Sequence, residues 1–195
     1  MKIEFIIPTY SRTDLFMTCI SSIVSQTNPN WTIHVVCDNP PEDVQLRIAN
    51  IASYYQFDDR IKFSVLDKRY NDWGHTPRNY GLQKATEEWV VMTGEDNYYA
   101  PTFVDNFLSV VRDDVNFVFC NMVHNWVSDN YIPVNCEIEY GKIDIGNFMT
   151  RTFNSQKLKL KTDIEQADYF FIEEYLARFT EGKIIKIDKI LYVHN

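Results

Sequence analysis

At 195 residues the chain has the length of one ordinary domain, enough to bury a core without disulfide staples. A composition that is 45% apolar and 15% aromatic, with no polar low-complexity tract, excludes a disordered polypeptide. The net charge of −8 is spread along the sequence, which argues against nucleic acid as a partner because that needs a basic face.

No apolar run reaches the length of a membrane span, and the opening MKIEFIIPTY is too short and acidic for a signal peptide, so no integral membrane segment is expected. Cys19, Cys37, Cys120 and Cys136 are widely spaced without a CxxC pair, and three lie in apolar contexts. Free buried thiols in a reducing, cytoplasmic setting fit that spacing better than disulfides or zinc.

Lys2 to Ile7 reads as a strand, ended by Pro8-Thr9-Tyr10. Ser11 and Asp14 resemble a capping box, and Phe16, Cys19, Ile20, Ile23 and Val24 recur at helical spacing. Thr32 to Cys37 is a second strand that stops at Asp38-Asn39-Pro40-Pro41, and a helix near Asp43 follows, carried by Val44, Ile48, Ile51 and Ala52. Ile61 to Leu66 is a third strand. The polar and aromatic loop DKRYNDWGHTP then leads to a short helix, Arg78 to Ala85. Trp89 to Thr93 is a buried strand, Pro101 opens a helix with Phe103, Val104, Phe107, Leu108 and Val111 inward, and Asn116 to Met122 is another strand. Later come short strands or loops from Tyr131 to Ile145, a helix from about Ile164 to Phe179, and two apolar runs between Lys183 and Val193. Alternating strands and helices over the first 120 residues predict a largely parallel sheet with helices on its faces.

Two acidic positions stand out. The strand at Trp89 runs straight into Glu95-Asp96-Asn97. Carboxylates have no packing use, and the carboxyl edge of an open α/β sheet is where ligands bind, so either a cation-bound phosphate or a plain polar turn accounts for the cluster. In the last helix, Ile164, Ala167, Phe171, Ile172, Tyr175, Leu176 and Phe179 form an inward stripe, and Asp168 falls inside it. A carboxylate there is either a structural acceptor or a general base with a raised pKa. Thr162-Asp163-Ile164-Glu165 fits a capping box that occupies Glu165.

Taken together, FIIPTYSR, SIVSQTNPNWTIHVVCDNP, PRNYGLQKATEEWVVMTGEDN, GNFMTR and ADYFF resemble, in order, the segments of the family 2 inverting glycosyltransferases. That resemblance implies the GT-A fold, a Rossmann-like α/β architecture with a mainly parallel central sheet flanked by helices. It implies one domain over residues 1–195, with residues 1–100 as the nucleotide-sugar half and 101–195 as the acceptor half. It also implies a sugar moved from a nucleoside diphosphate, commonly uridine-linked, to a hydroxyl of a glycan or other acceptor.

By the same resemblance Pro8, Thr9, Tyr10 and Arg12 hold the nucleotide, and Asp38 accepts from the base ring N–H. Arg78 balances charge on the diphosphate or sugar. Asp96 holds a divalent cation, Mn²⁺ or Mg²⁺, and Asp168 deprotonates the acceptor. His194 is the histidine that related folds add to the metal. This chain departs from the pattern at Gly94, where the family has the first aspartate of Asp-x-Asp, at Pro77 in the "ARN" segment, and at Ala167, where an acidic residue usually precedes the base. Glu95 is placed with the nucleotide-sugar-binding residues; next to Gly94 it either compensates for the lost carboxylate or, as that adjacent position normally does, points away from the cation.

Other residues keep two readings. Trp73 and His75 either stack on a sugar or acceptor, or anchor their loop. His124 and Trp126 either line the acceptor side or form a packed cluster, while Tyr98-Tyr99 support the acidic loop. Asn147 is an acceptor or sugar contact, and Gly146 permits close backbone approach. The competing functions are a non-catalytic nucleotide-sugar or glycan-binding module and a sugar-phosphate nucleotidyltransferase. The latter needs a glycine-rich basic loop that PTYSRTD lacks. The compact length with no anchor predicts a soluble enzyme adding single sugars rather than a processive synthase.

Overall fold

Apolar runs that are continuous rather than alternating belong to strands buried on both faces, and the first strands of this chain are of that kind. A computed structural model of the protein describes residues 1–56, 58–125 and 130–195. It begins with β1 (Ile3–Thr9), buried throughout, then α1 (Thr13–Val24), β2 (Trp31–Cys37), α2 (Glu42–Tyr54) and β3 (Ile61–Val65). Next come α3 (His75–Lys84), β4 (Trp89–Met92), β5 (Tyr98–Tyr99), α4 (Phe103–Val110) and β6 (Val115–His124). The chain continues through β7 (Ile132–Val134), β8 (Phe148–Arg151), α5 (Thr152–Ser155), α6 (Ala167–Arg178) and β9 (Lys183–His194).

Among the described residues these strands make one sheet in the order β3-β2-β1-β4-β8-β6-β9-β5, with β7 added to β6. The first four are parallel to one another, and β8 runs against both its neighbours. The order reverses between β1 and β4, so a crevice opens at their carboxyl ends, beyond Thr9 and Met92. A long parallel ladder joins β6 to β9 and pairs His124 with His194. Antiparallel pairing of Tyr98 with Val193 and of Tyr99 with Tyr192 brings the last strand beside the acidic loop.

The core follows the expected spacing. Phe16, Cys19, Ile20 and Ile23 of α1 are buried, as are Phe103, Val104 and Phe107 of α4, and Ala167, Phe171, Ile172 and Tyr175 of α6. All four cysteines are free and buried. No helix among the described residues is long and apolar enough to cross a membrane.

Three helix starts differ from expectation. Helix α1 begins at Thr13 with Arg12 at its N-cap and no side-chain cap, so Ser11 and Asp14 form no capping box. The loop before it is drawn to the acidic segment instead, through Tyr10 N–H to Glu95 and Arg12 to Asp96. Helix α3 begins at His75, before Arg78, because Asp72 Oδ2 accepts from the Thr76 amide at 2.9 Å and supplies the missing cap. Pro77 sits in its first turn, where a missing N–H costs nothing. Helix α6 begins at Ala167, so Glu165 caps nothing through the expected box. Side chains of α3 already use the preceding backbone: Asn79 bonds both backbone groups of Leu160, and the Ile164 carbonyl meets His75 Nε2 at 3.0 Å. The last two apolar runs are one strand, β9, with register shifts near Asn121.

Candidate active site

The crevice at the β1–β4 switch point opens into a cavity of about 640 Å³. Its walls come from the β1–α1 loop, the β3–α3 loop, the acidic segment after β4, residues 144 and 145, the start of α6, and His194. Pro8, Thr9, Tyr10, Arg12, Asp38, Trp73, His75, Arg78, Glu95, Asp96, Asp168 and His194 all line it. Asn147 does not.

Glu95 is an organiser of the first loop. Its Oε2 accepts from Thr9 Oγ1 at 2.5 Å and from the Tyr10 amide at 3.0 Å. Asp96, the next residue, pairs with the exposed guanidinium of Arg12. Gly94 leaves room for both neighbours, since a Cβ there would lie 2.7 Å from Asp96 Oδ1 and 2.9 Å from Asn97 Nδ2. Asn97 is buried and accepts from the Asn195 amide at 3.2 Å, tying the acidic loop to the end of β9.

Asp38 is buried, and both oxygens already accept backbone amides, Tyr70 N–H at 2.9 Å and Asn71 N–H at 3.1 Å. It therefore fixes the β3–α3 loop against the crevice. Arg69 from that loop stacks 3.8 Å above the Tyr10 ring and donates to Asn71 Oδ1 at 2.6 Å. This guanidinium covers one face of the Tyr10 ring.

Arg78 is buried and donates Nε to the Thr93 carbonyl at 3.0 Å and Nη1 to the Trp73 carbonyl at 2.9 Å. Burial pulls its pKa down, against the pull of Asp144, Tyr192, Asp168 and Asp96. It forms no ion pair within 4 Å among the described residues, so its positive charge is directed at the cavity without a close carboxylate.

Asp168 sits in the first turn of α6 and faces the cavity. Burial and the nearby Asp144 charge raise its pKa from 3.8 to about 6, although its oxygen accepts the Tyr169 amide at 2.8 Å. A carboxyl tuned to that range suits proton abstraction near neutral pH.

Asp144 is a buried cavity-wall carboxylate that sequence reasoning missed. It is buried in the cavity wall, accepts from Tyr192 Oη at 2.5 Å and the Gly146 amide at 2.9 Å, and lies 2.8 Å from His194 Nδ1. Burial alone would raise its pKa, but His194, Tyr192 and Gly146 outweigh burial and hold it at about 2. The signal was present: Asp144 interrupts the apolar pair Ile143 and Ile145 as Asp168 interrupts its helix stripe.

Asn147 is corrected from a substrate contact to a support. Its side chain is fully buried, donating to the Cys120 carbonyl at 2.8 Å and accepting from the Asp144 amide at 3.1 Å. Gly146 does serve close approach, because a Cβ there would meet the Tyr192 ring at 2.5 Å. His75 is a buried tie to the segment before α6, and Trp73 is exposed, so it does not anchor its loop by burial. His124 is buried with its ring 4.1 Å from that of His194, while Trp126 lies outside the described residues. Among the described residues no three His, Cys, Asp or Glu side chains gather as a complete metal cage.

The sequence model described as Glycosyl transferase family 2 matches residues 4–177. The chain belongs to this family. Family 2 relatives include a poly(ribitol-phosphate) beta-glucosyltransferase of Bacillus spizizenii, 31% identical over 100 residues, covering 50% of this chain and 15% of that protein. The GalNAc(5)-diNAcBac-PP-undecaprenol beta-1,3-glucosyltransferase of Campylobacter jejuni is 28% identical over 184 residues, covering 93% of this chain and 52% of that one. The chain thus spans about half or less of the length of these two relatives.

Among solved structures, S. aureus TarS 1-349 in complex with UDP-GlcNAc superposes with a TM-score of 0.80 at 18% identity, over 100% of this chain and 58% of that one. The mannosyltransferase PcManGT from Pyrobaculum calidifontis, in complex with GDP-Man and Mn2+, gives 0.75 at 15% identity, over 99% and 56%. The fold of this family 2 chain is the GT-A fold, with its sheet mixed in the second half.

Proposed function

We propose that this chain is an inverting glycosyltransferase that moves a sugar from a nucleoside diphosphate, uridine-linked, to a hydroxyl of a glycan or other acceptor. The observation that carries the reading is Asp168, a carboxyl with a pKa raised to about 6, lining the cavity that opens at the β1–β4 switch point. Such a group accepts the acceptor proton as the oxygen attacks the anomeric carbon from the face opposite the leaving diphosphate, which gives inversion. Support for a uridine donor is the family membership and a structural neighbour whose bound ligand is UDP-GlcNAc.

Residues 1–100 carry the donor half in this reading, and the rest of residues 1–195 the acceptor half. Thr9 and Tyr10, braced by Glu95, form the nucleotide wall. Arg12 exchanges its Asp96 partner for diphosphate oxygens when the donor enters, as a guanidinium matches both anions. Arg78 adds a fixed positive charge where negative charge grows on the departing diphosphate.

The residues fit a divalent cation. Asp96 offers a hard oxygen and His194 an imidazole held through Nδ1 by Asp144, the outer partner that orients metal-bound histidines. Asp96 and His194 would hold Mn²⁺ or Mg²⁺, and the ion would supply positive charge against the leaving diphosphate. Four free buried thiols fit a cytoplasmic location.

The test is Asp168→Asn. It is expected to abolish transfer while the affinity for the sugar nucleotide stays within about twofold. Transfer at the wild-type rate would remove Asp168 as the base.

A further inference from the structure

The loop between β3 and α3 carries a feature that the roles above do not use. Trp73 adopts φ +55°, in the left-handed region that bulky side chains rarely enter, flanked by Asn71 at +54° and Gly74 at +82°. The conformation is held from three sides. Asp38 takes the Tyr70 and Asn71 amides, Asp72 Oδ2 takes the Thr76 amide and hydroxyl, and Arg78 Nη1 donates to the Trp73 carbonyl. Strain of this kind persists only where the surroundings over-determine it, and it concentrates at ligand sites.

The indole gains little packing in return. Trp73 is 55% exposed, and its ring meets His75 only at 6.0 Å between centroids. Beside it, Asp72 is 7% exposed, lines the same cavity, and has an Oδ1 with no hydrogen-bond partner among the described residues. A buried carboxylate oxygen without a donor is costly, so it marks a place where a ligand donor belongs.

An open aromatic face next to an acceptor without a donor matches a pyranose ring, which has an apolar C–H face and a rim of hydroxyls. The position selects which sugar. Gly74 packs against Pro8 at the end of β1, and His75 bonds Ile164 just ahead of α6, so the loop carrying Asp72 and Trp73 touches both the β1 end and the segment that leads to Asp168. We propose that Asp72 and Trp73 form the subsite for the donor's sugar ring, with the ring's apolar face on the indole and one hydroxyl donating to Asp72 Oδ1. This rests on the nucleotide-sugar reading above.

The experiment is calorimetric titration of UDP, UDP-glucose and UDP-N-acetylglucosamine, with GDP and GDP-mannose alongside, on wild type, Trp73→Ala, Trp73→Gly and Asp72→Asn. In wild type one sugar nucleotide is expected to bind more tightly than its parent diphosphate. Each variant should reduce that preference about fivefold or more, the equivalent of one aromatic or hydrogen-bonded contact, with the parent diphosphate within about twofold. Trp73→Gly should melt no lower than wild type, because glycine takes positive φ without strain. That separates lost recognition from lost folding.

The subsite is overturned if sugar nucleotide and diphosphate weaken equally, if neither changes, or if wild type has no preference for the sugar nucleotide. A lowered melting temperature for Trp73→Gly overturns the strained platform. Failure of wild type to bind any of the diphosphates overturns the donor reading itself, and the subsite with it.

Discussion

Asp144 and His194 meet at 2.8 Å between Oδ2 and Nδ1 in the wall of the cavity, joining the turn before β8 to the last residue of β9. The contact is buried, and the other oxygen of Asp144 is used by Tyr192 and Gly146. Removing one partner of such a group leaves the others without their acceptor, which costs more than the net worth of the pair. Asp144→Asn keeps the shape and loses the charge, and a loss of about 1–3 kcal/mol in urea unfolding is expected. A change below about 0.5 kcal/mol would mean that the contact is dispensable to the fold.

As the proposed base, Asp168 should set the acid limb of activity. Its carboxyl is raised to about 6, so transfer should fall about tenfold per pH unit below that value and level off above it. A rate flat between pH 5 and 7 would be incompatible with a base of this kind.

The same shift has a stability consequence of opposite sign to activity. The folded pKa lies above the ordinary 3.8, so the fold favours the protonated form, and that advantage is complete below pH 3.8 and lost as pH rises through about 6. Asp168→Asn, which cannot ionise, should therefore be more stable than wild type at pH 8, by about 1 kcal/mol once solvent screening of this partly exposed group is allowed for. The difference should close by pH 4. Denaturation curves at the two pH values check it, and a destabilised variant at pH 8 would contradict the sign.

Gly94 stands where the resemblance to family 2 places the first aspartate of Asp-x-Asp, and restoring an acidic side chain there should not help. A Cβ at this position meets Asp96 Oδ1 and Asn97 Nδ2, both closer than 3 Å. Gly94→Ala and Gly94→Asp should each push the Asp96 and Asn97 side chains aside and weaken UDP binding about tenfold. Calorimetry with Mn²⁺ present is the measurement. Tighter binding by Gly94→Asp would show that the loop can reopen to the two-carboxylate form.

Glu95→Gln tests the brace on the nucleotide wall. The neutral amide accepts the Thr9 hydroxyl and Tyr10 amide less strongly than a carboxylate does, a loss of about 1 kcal/mol. UDP affinity should fall severalfold while the melting temperature moves by only a few degrees. An unchanged affinity would separate the brace from donor binding.

The sequence alone determined the alternation of strands and helices, the buried strands on either side of the crevice, and the two carboxylates at Asp96 and Asp168. Each is a local signal: an apolar run, a 3.6-residue stripe, a charge where the pattern calls for a hydrophobe. Helix starts were less legible: the loops before α1 and α6 are drawn to side chains remote in sequence, Glu95 and His75, and α3 is capped from outside its apolar pattern by Asp72. Only the tertiary structure decided which polar groups meet. Arg12 and Asp96 are 84 positions apart, and their contact depends on β1 lying beside β4. Asp144 finds His194 only because β9 runs along β6 and ends beside the acidic loop. Asn147 is buried and Trp73 stands open for the same reason. Which side chain is buried and which stands open is a property of the neighbours that the sheet supplies, and a sequence window contains none of them.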